Sequence, residues 1–406
     1  MGTQMFISQP ILEPVAPAAS QAVPAAAARA RPGRLFFVDN IRVLLTILVI
    51  LHHLMITYAG TGDWIYNEGR EDLITNALGG WFCATNQSYF MGLFLLISAY
   101  FVPGSYDRKG PGRLVKDRLI RLGIPLALYS WVINPLFVWA FFHRESGISF
   151  WSYFPGEYFR TQAVIGHGPL WFVEVLLIFT LVYVGWRLAT RSRPARPVVD
   201  APFPANRTIA LFALLLGVVT FLVRLPFPMD GYWFGPLNLQ FGFFAQYIAL
   251  FSLGLIAYRR NWLVGLPDQV GRFWLRVAIG LILLWAPMML TNGAVDGKVF
   301  FKGGVNWQAA LYAVWESFLC VSMCLGLIYA FRRHLNQPGK ISGWLVPLAY
   351  TAYLIHTPLI TYLAFGLRDV MLYPLLKFAL VAPVAVLLCF GLSSLIRKIP
   401  YSDRVL

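Results

Sequence analysis

Charge is what this chain has least of. Only 13% of its 406 residues are Asp, Glu, Lys or Arg, about half the share of an ordinary soluble domain. The acidic residues are the scarcer kind, 18 against 33 basic ones. With 58% of residues apolar, a soluble globular domain is excluded, and the remaining class is a chain that crosses a bilayer many times. Cysteine is scarce too. Cys83, Cys320, Cys324 and Cys389 fall in or beside apolar runs without a CxxC pair. That excludes a disulfide framework and leaves them as small hydrophobes. Glycine-rich phosphate loops, HExxH and GxSxG are missing, and no His, Cys or carboxylate group has metal-ligand spacing, so no metal is expected. The net charge of +15 comes without a nucleic-acid motif, so nucleic acid is not expected as a partner either.

What is present is arranged along the chain in a regular way. Residues 1–34 are rich in Ala and Pro and end in Arg29, Arg31 and Arg34, a composition expected of a disordered tail. The membrane domain follows over 35–400. Ten candidate spans are read at 35–58, 79–102, 119–142, 169–189, 207–225, 237–258, 273–291, 308–331, 343–365 and 371–396, each about long enough to cross a bilayer core as a helix. With the N-terminus in the cytoplasm, the inner segments hold twenty-four of the 33 Lys and Arg residues and the outer ones seven. Basic residues accumulate on the cytoplasmic side. The expected fold is therefore an all-α, polytopic helical bundle of about ten transmembrane helices with both termini inside.

Ionisable groups inside an apolar helix are rare and face a cavity or a partner. Arg42 and His53 lie on the first span with ten residues between them. Eleven steps of about 100° return the helix to within roughly 20° of the same face, about 16 Å further along. Asp39 sits one turn below Arg42, whereas His52 points about 100° away. Depth then matters. His53 on span 1, Glu174 on span 4, Glu316 on span 8 and His356 on span 9 all fall in the outer halves of their spans. An imidazole oriented by a carboxylate is the ordinary apparatus of general-base catalysis, and Glu174 is the expected orienter of His53. A satisfied structural histidine is the alternative for each imidazole. His167 and Trp171, at the entry to span 4 beside Glu174, and Tyr353 and His356 on span 9 are candidate substrate-binding residues. The first outer loop, with Trp64, Tyr66 and Glu68, reads as a solvated cap or as the rim of an acceptor site.

A second cluster is cytoplasmic. Arg113, Lys116, Arg118 and Arg121, with Arg108 and Lys109, crowd the start of span 3. On an α-helix Arg118 and Arg121 lie one turn apart on one face and can clamp phosphate in bidentate fashion. Attraction to anionic membrane lipids explains the same residues without a ligand.

These residues occur in an order that resembles the acyltransferase 3 superfamily of ten-helix membrane enzymes. Asp39-Asn40-Ile41-Arg42 followed by His53 resembles its Arg-x10-His motif. Met91 to Tyr100 resembles its second-helix Phe-Phe-x-x-Ser-Gly-Tyr segment, with Ala99 in place of Gly. Arg118-Leu119-Ile120-Arg121 resembles its Arg-x-x-Arg element. Leu170-Trp171-Phe172-Val173-Glu174 and Tyr353-Leu354-Ile355-His356 are similar to two later signatures. The Asp-Asn-Ile-Arg opening and the His167 to Phe172 run resemble the glucans biosynthesis protein C-like branch. The resemblance implies a bacterial inner-membrane enzyme that moves an acetyl or succinyl group from cytoplasmic acyl-CoA, its co-substrate, to a hydroxyl of an extracytoplasmic carbohydrate or glycan. It implies His53, Arg42, Glu174 and Asp39 as catalytic, and Arg118, Arg121, Arg113 and Lys116 as donor-binding. An acyl-histidine intermediate stays open. The competing readings are a transporter that uses the intramembrane His, Glu and Arg as a proton or substrate path, and a non-catalytic scaffold. The absence of internal repeats speaks against transport.

Overall fold

Each expected span becomes a helix in the computed structural model, which describes residues 34–62, 64–68, 72–162, 168–192, 196–231, 237–291 and 300–406. The expected tail and His167 lie outside the described residues. The long helices, in chain order, are α1 Phe36–Ala59, α2 Leu73–Tyr100, α3 Val102–His143, α4 Trp171–Ala189, α5 Asn206–Arg224, α6 Phe244–Arg259, α7 Asp268–Thr291, α8 Trp307–His334, α9 Lys340–Gly366 and α10 Pro374–Ile396. No strand accompanies them among the described residues. Phe36–Leu406 pack as one unit.

Among the described residues nine of these helices are both long and apolar enough to cross a membrane. The exception is α2, which carries Asn76, Thr85, Asn86, Gln87 and Ser88. Its packing explains the polarity. It contacts α1, α6 and α8 extensively, and α3, α4 and α7 as well, so its surroundings are protein rather than lipid. There Gln246 Nε2 on α6 donates to the Ser88 carbonyl, and the Ser88 hydroxyl donates to the Thr85 carbonyl at 2.7 Å.

Helix ends meet in two separate sets. The start of α1 meets the end of α8 through Phe37 N and Asn336 Oδ1, 3.3 Å, and through Asn40 Nδ2 and the Leu335 carbonyl, 2.7 Å. Arg332 holds the start of α7 at Asp268, 2.8 Å, and Arg397 at the end of α10 reaches the Pro347 carbonyl of α9, 2.9 Å. At the other end Lys377 binds Glu68, Tyr373 binds Asp72, and Lys302 binds Asp230. These partners are the ones the alternating span count assigns to common sides.

The third span runs longer than expected and is not a plain α-helix. Gly110, at φ 74°, and Pro111 break its first part. Three π-helical turns, Leu119–Gly123, Tyr129–Ile133 and Trp139–His143, then alternate with α-helical ones. Pro125 and Pro135 stand just after the first two. Proline lacks the N–H that an α-helix sends to the carbonyl four residues back. For Pro125 that carbonyl belongs to Arg121, and the Tyr350 hydroxyl on α9 donates to it at 2.7 Å. The freed acceptor thus becomes a tie between two helices. A wider π turn also corrects the expected geometry of Arg118-x-x-Arg121. Three residues no longer complete a turn, so Arg118 is half-buried while Arg121 is exposed.

Candidate active site

Two imidazoles from opposite ends of the sequence meet. His53 on α1 and His356 on α9 stack with ring centres 5.1 Å apart, and His356 Nε2 lies 3.0 Å from His53 Nδ1. The other nitrogen of His356, Nδ1, is 2.5 Å from the Tyr353 carbonyl. A carbonyl can only accept, so Nδ1 of His356 carries the hydrogen. In a neutral ring Nε2 is then the acceptor, and His53 Nδ1–H must be the donor. A neutral His53 is left with its lone pair on Nε2. The chain from Tyr353 O through His356 to His53 therefore fixes the tautomer that a general base needs. His356 is fully buried and His53 only half-buried, which suits a supporting ring behind a working one.

The walls are aromatic. Trp64, from the first outer loop, stacks on His53 at 4.0 Å and lies 6.4 Å from His356. The described part of that loop is tied to the helices around it. Lys377 Nζ holds Glu68 at 2.5 Å and the Leu367 carbonyl at 2.7 Å, and Glu68 N donates to the Thr57 carbonyl at 2.7 Å. Asp72 caps α2 through Thr75 and accepts from Tyr373 Oη at 2.6 Å. Hydrogen bonds from Thr75, then Tyr373, hold the Asp72 carboxyl below the ordinary Asp range. The Tyr66 phenol beside Glu68 is pushed up to about 12, by partial burial first and the carboxylate second.

The other expected residues separate into groups. Glu174 is buried in the first turn of α4, but the partner seen on His53 Nδ1 is His356, in the place the sequence suggests for Glu174. Tyr353 stands one turn before His356 on α9, and its hydroxyl donates to the Pro169 carbonyl, tying α9 to the turn that precedes α4. Gly168 makes that turn at φ 49°, a left-handed conformation that favours glycine. Trp171 stacks on Tyr247 of α6 at 5.2 Å. His52 turns away from His356 and packs on Phe90 of α2, centres 5.1 Å apart, as its helix angle requires.

Arg42 and Asp39 form an ion pair at 3.3 Å, with the Arg42 guanidinium 5.0 Å from the Phe101 ring centre. Both Arg42 and Arg121 are near enough to Arg118 to repel it. Arg42 therefore belongs with the basic cluster of α3, at the opposite end of α1 from the imidazole pair. Arg113 and Lys116 are exposed beside that cluster. Lys109 is taken by Asp117.

Glu316 serves elsewhere. Its Oε2 lies 2.6 Å from Arg224 Nη2, both side chains almost fully buried. Arg224 also donates to the Gly242 carbonyl at 3.1 Å. Counting Arg224 as a loop cation misses this pair. The signal that could have found it is opposite charge at the outer ends of two apolar spans: Arg224 closes the run of α5, and Glu316 is a carboxylate inside the outer part of α8.

The chain is thus a bundle of membrane-length helices with a half-buried imidazole at one end of α1 and clustered guanidiniums at the other. The chain belongs to the acyltransferase 3 superfamily: the family model described as "Acyltransferase domain" matches residues 35–394. It is thus a membrane acyltransferase. No curated protein and no solved structure matches it.

Proposed function

We propose that this membrane acyltransferase moves an acetyl or succinyl group from cytoplasmic acyl-CoA to a hydroxyl of an extracytoplasmic carbohydrate or glycan, in the inner membrane of a bacterium. The observation that carries the proposal is the hydrogen-bonded run Tyr353 O–His356–His53 at one end of α1, with Arg42 and Arg118 gathered at the other. Eleven residues of α-helix separate Arg42 from His53 by about 16 Å, so a donor held by its phosphates at the basic end must be extended to present its thioester to His53. Succinylation of a glucan is the version favoured by the resemblance of residues 39–42 and 167–172 to the glucans biosynthesis protein C-like branch.

The reaction follows from the tautomer. His53 Nε2 takes the proton of the acceptor hydroxyl as its oxygen attacks the thioester carbonyl. The new C–O bond forms, the C–S bond breaks, and the proton on His53 passes to the departing CoA sulfur. While His53 is an imidazolium, its Nδ1–H bond to His356 Nε2 becomes charge-assisted and stronger, stabilising the charge formed at the transition state. Arg42, Arg118 and Arg121 bind the CoA phosphates, and Trp64 offers the sugar an aromatic face beside the base. Glu174, buried in the first turn of α4, takes no part in these steps.

The test supplies purified protein with radiolabelled acetyl-CoA, then succinyl-CoA, and a β-glucan oligosaccharide. The expected result is label on the oligosaccharide with one donor and none with His53→Ala. The reading fails if both donors keep their label and the envelope glycans of a deletion strain show no loss of an acyl mass.

A further inference from the structure

On the cytoplasmic half of the bundle α5, α6 and α8 stand apart and leave a groove of about 560 Å³, within the roughly 300–1,000 Å³ of ordinary ligand pockets. Phe212 of α5, Leu253 and Ile256 of α6, and Leu325 and Ile328 of α8 line it. Thr208, Ser252 and Cys324 are its polar exceptions below the mouth. Its depth is informative. From Ala249 to Arg260, both on its wall, eleven helical steps cover about 16 Å, and half of a bilayer core of about 30 Å is nearly the same length. The groove therefore runs from the inner surface to about the bilayer midplane.

The mouth carries a charge with no counter-ion among the described residues. Arg259 is spent on Asp107, with contacts of 2.6 and 3.0 Å. Its neighbour Arg260 is exposed, lies over the Trp262 ring at 5.3 Å, and has no carboxylate within ion-pair distance among the described residues. Asp200, whose neighbours Val199 and Ala201 donate to the Arg259 and Arg260 carbonyls, accepts from Asn261 Nδ2 at 2.7 Å. The Trp262 indole is itself fixed by the Pro202 carbonyl at 3.2 Å, and tryptophan is a residue of the membrane–water boundary.

We propose that this groove is a binding site for one anionic phospholipid of the inner leaflet, with an acyl chain between α5, α6 and α8 and the phosphate on Arg260. An apolar slot one leaflet deep takes a hydrocarbon chain, and a lone guanidinium at headgroup level takes the phosphate. A soluble anion would have no use for the slot.

Native mass spectrometry of the full chain tests it, with phosphatidylglycerol and phosphatidylcholine offered in equal amounts. The wild type is expected to retain one lipid per chain and to prefer phosphatidylglycerol. Ser252 is exposed to the groove, so S252W fills it without entering the packed side of α6, and T208W does the same from the opposite wall. Either is expected to lower retention about tenfold, equivalent to about 1.4 kcal/mol. R260Q is expected to keep the lipid and lose the preference. Equal retention by wild type and whichever filled-groove variant elutes as a single folded species overturns the proposal. So does a wild type without headgroup preference, or a wild-type mass of two chains that the filled variants reduce to one.

Discussion

His53 and His52 are neighbours in sequence with opposite surroundings, and substitution should separate them. Replacing a positioned general base costs roughly 10²–10⁴-fold in rate, so His53→Ala should abolish measurable transfer at normal abundance. His52→Ala, which loses packing against Phe90 and an edge contact with the His53 ring but no hydrogen bond to the His53–His356 pair, should retain most of it. His356→Ala should lower kcat while leaving both KM values near wild type, since its ring supports His53 and need not touch either substrate. Equal losses in the His52 and His53 variants, read by the same transfer assay, would remove the directional argument. Asp72 offers a second test at this scale. Its folded carboxyl is held below the ordinary range, so its contribution to stability is fully present above about pH 3.9 and lost as pH falls through the lower folded value. Wild-type melting temperature should therefore fall in acid, and Asp72→Ala should start lower at neutral pH and show a smaller acid loss. Of the reactive residues, His53 and Arg42 are legible from one helix alone, because 3.6 residues per turn puts them on one stripe. Their partners are not. His356 reaches His53 across 303 positions of sequence, and Arg224 reaches Glu316 in the same way. No periodicity relates one helix's rotation to another's.

Helices in this fold approach closely where small residues allow it. Ala99 stands where the related motif has Gly, and the facing residue on α6 explains why that is tolerated. Gly254 is so close that a Cβ there would run into the Leu96 carbonyl oxygen and the Ala99 methyl. The space the motif needs has moved to the opposite helix. Gly254→Leu should lower stability by about 1–3 kcal/mol through overpacking, read as a lower unfolding temperature in detergent. Gly185→Leu on α4, where an added Cβ meets nothing, should not. On α3 the prediction concerns binding. Alanine at both Arg118 and Arg121 removes charge-assisted contacts worth about 1.5–3 kcal/mol each, so the KM for acyl-CoA should rise at least about tenfold while the acceptor KM stays put. Added salt should raise the wild-type donor KM as well. Unchanged CoA affinity with lower membrane abundance would assign the cluster to lipid anchoring instead. The positions of these helices follow from hydropathy and their irregularities do not. Two of the three π turns of α3 stand just before Pro125 and Pro135, and a tie from another helix, Tyr350 to the Arg121 carbonyl, accompanies the first. Low hydropathy makes α2 look marginal as a span for the same reason that it sits inside the bundle.

At the scale of the whole molecule, sidedness joins the pieces. The charge distribution assigns each loop to a side, and the structure pairs loop ends in the same two sets: Glu68 with Lys377 on one, Arg332 with Asp268 on the other. The bilayer then decides which set faces the cytoplasm, because basic residues translocate poorly. The set holding Arg118, Arg121, Arg332 and Arg397 should face inward, and the set holding Trp64, Glu68 and Lys377 outward. All four native cysteines are buried, so a single introduced thiol can be labelled against a silent background. A membrane-impermeant maleimide applied to intact spheroplasts should modify Asn67→Cys and spare Val198→Cys, an exposed position in the loop before α5. After permeabilisation both should react. Donor and acceptor would then meet the protein from opposite faces, with about 16 Å of α1 between phosphate recognition at Arg42 and proton removal at His53. Labelling in the reverse order would put the imidazole pair on the cytoplasmic side, beside its CoA supply. Transfer to an extracytoplasmic glycan would then be untenable, although the general-base geometry itself would stand.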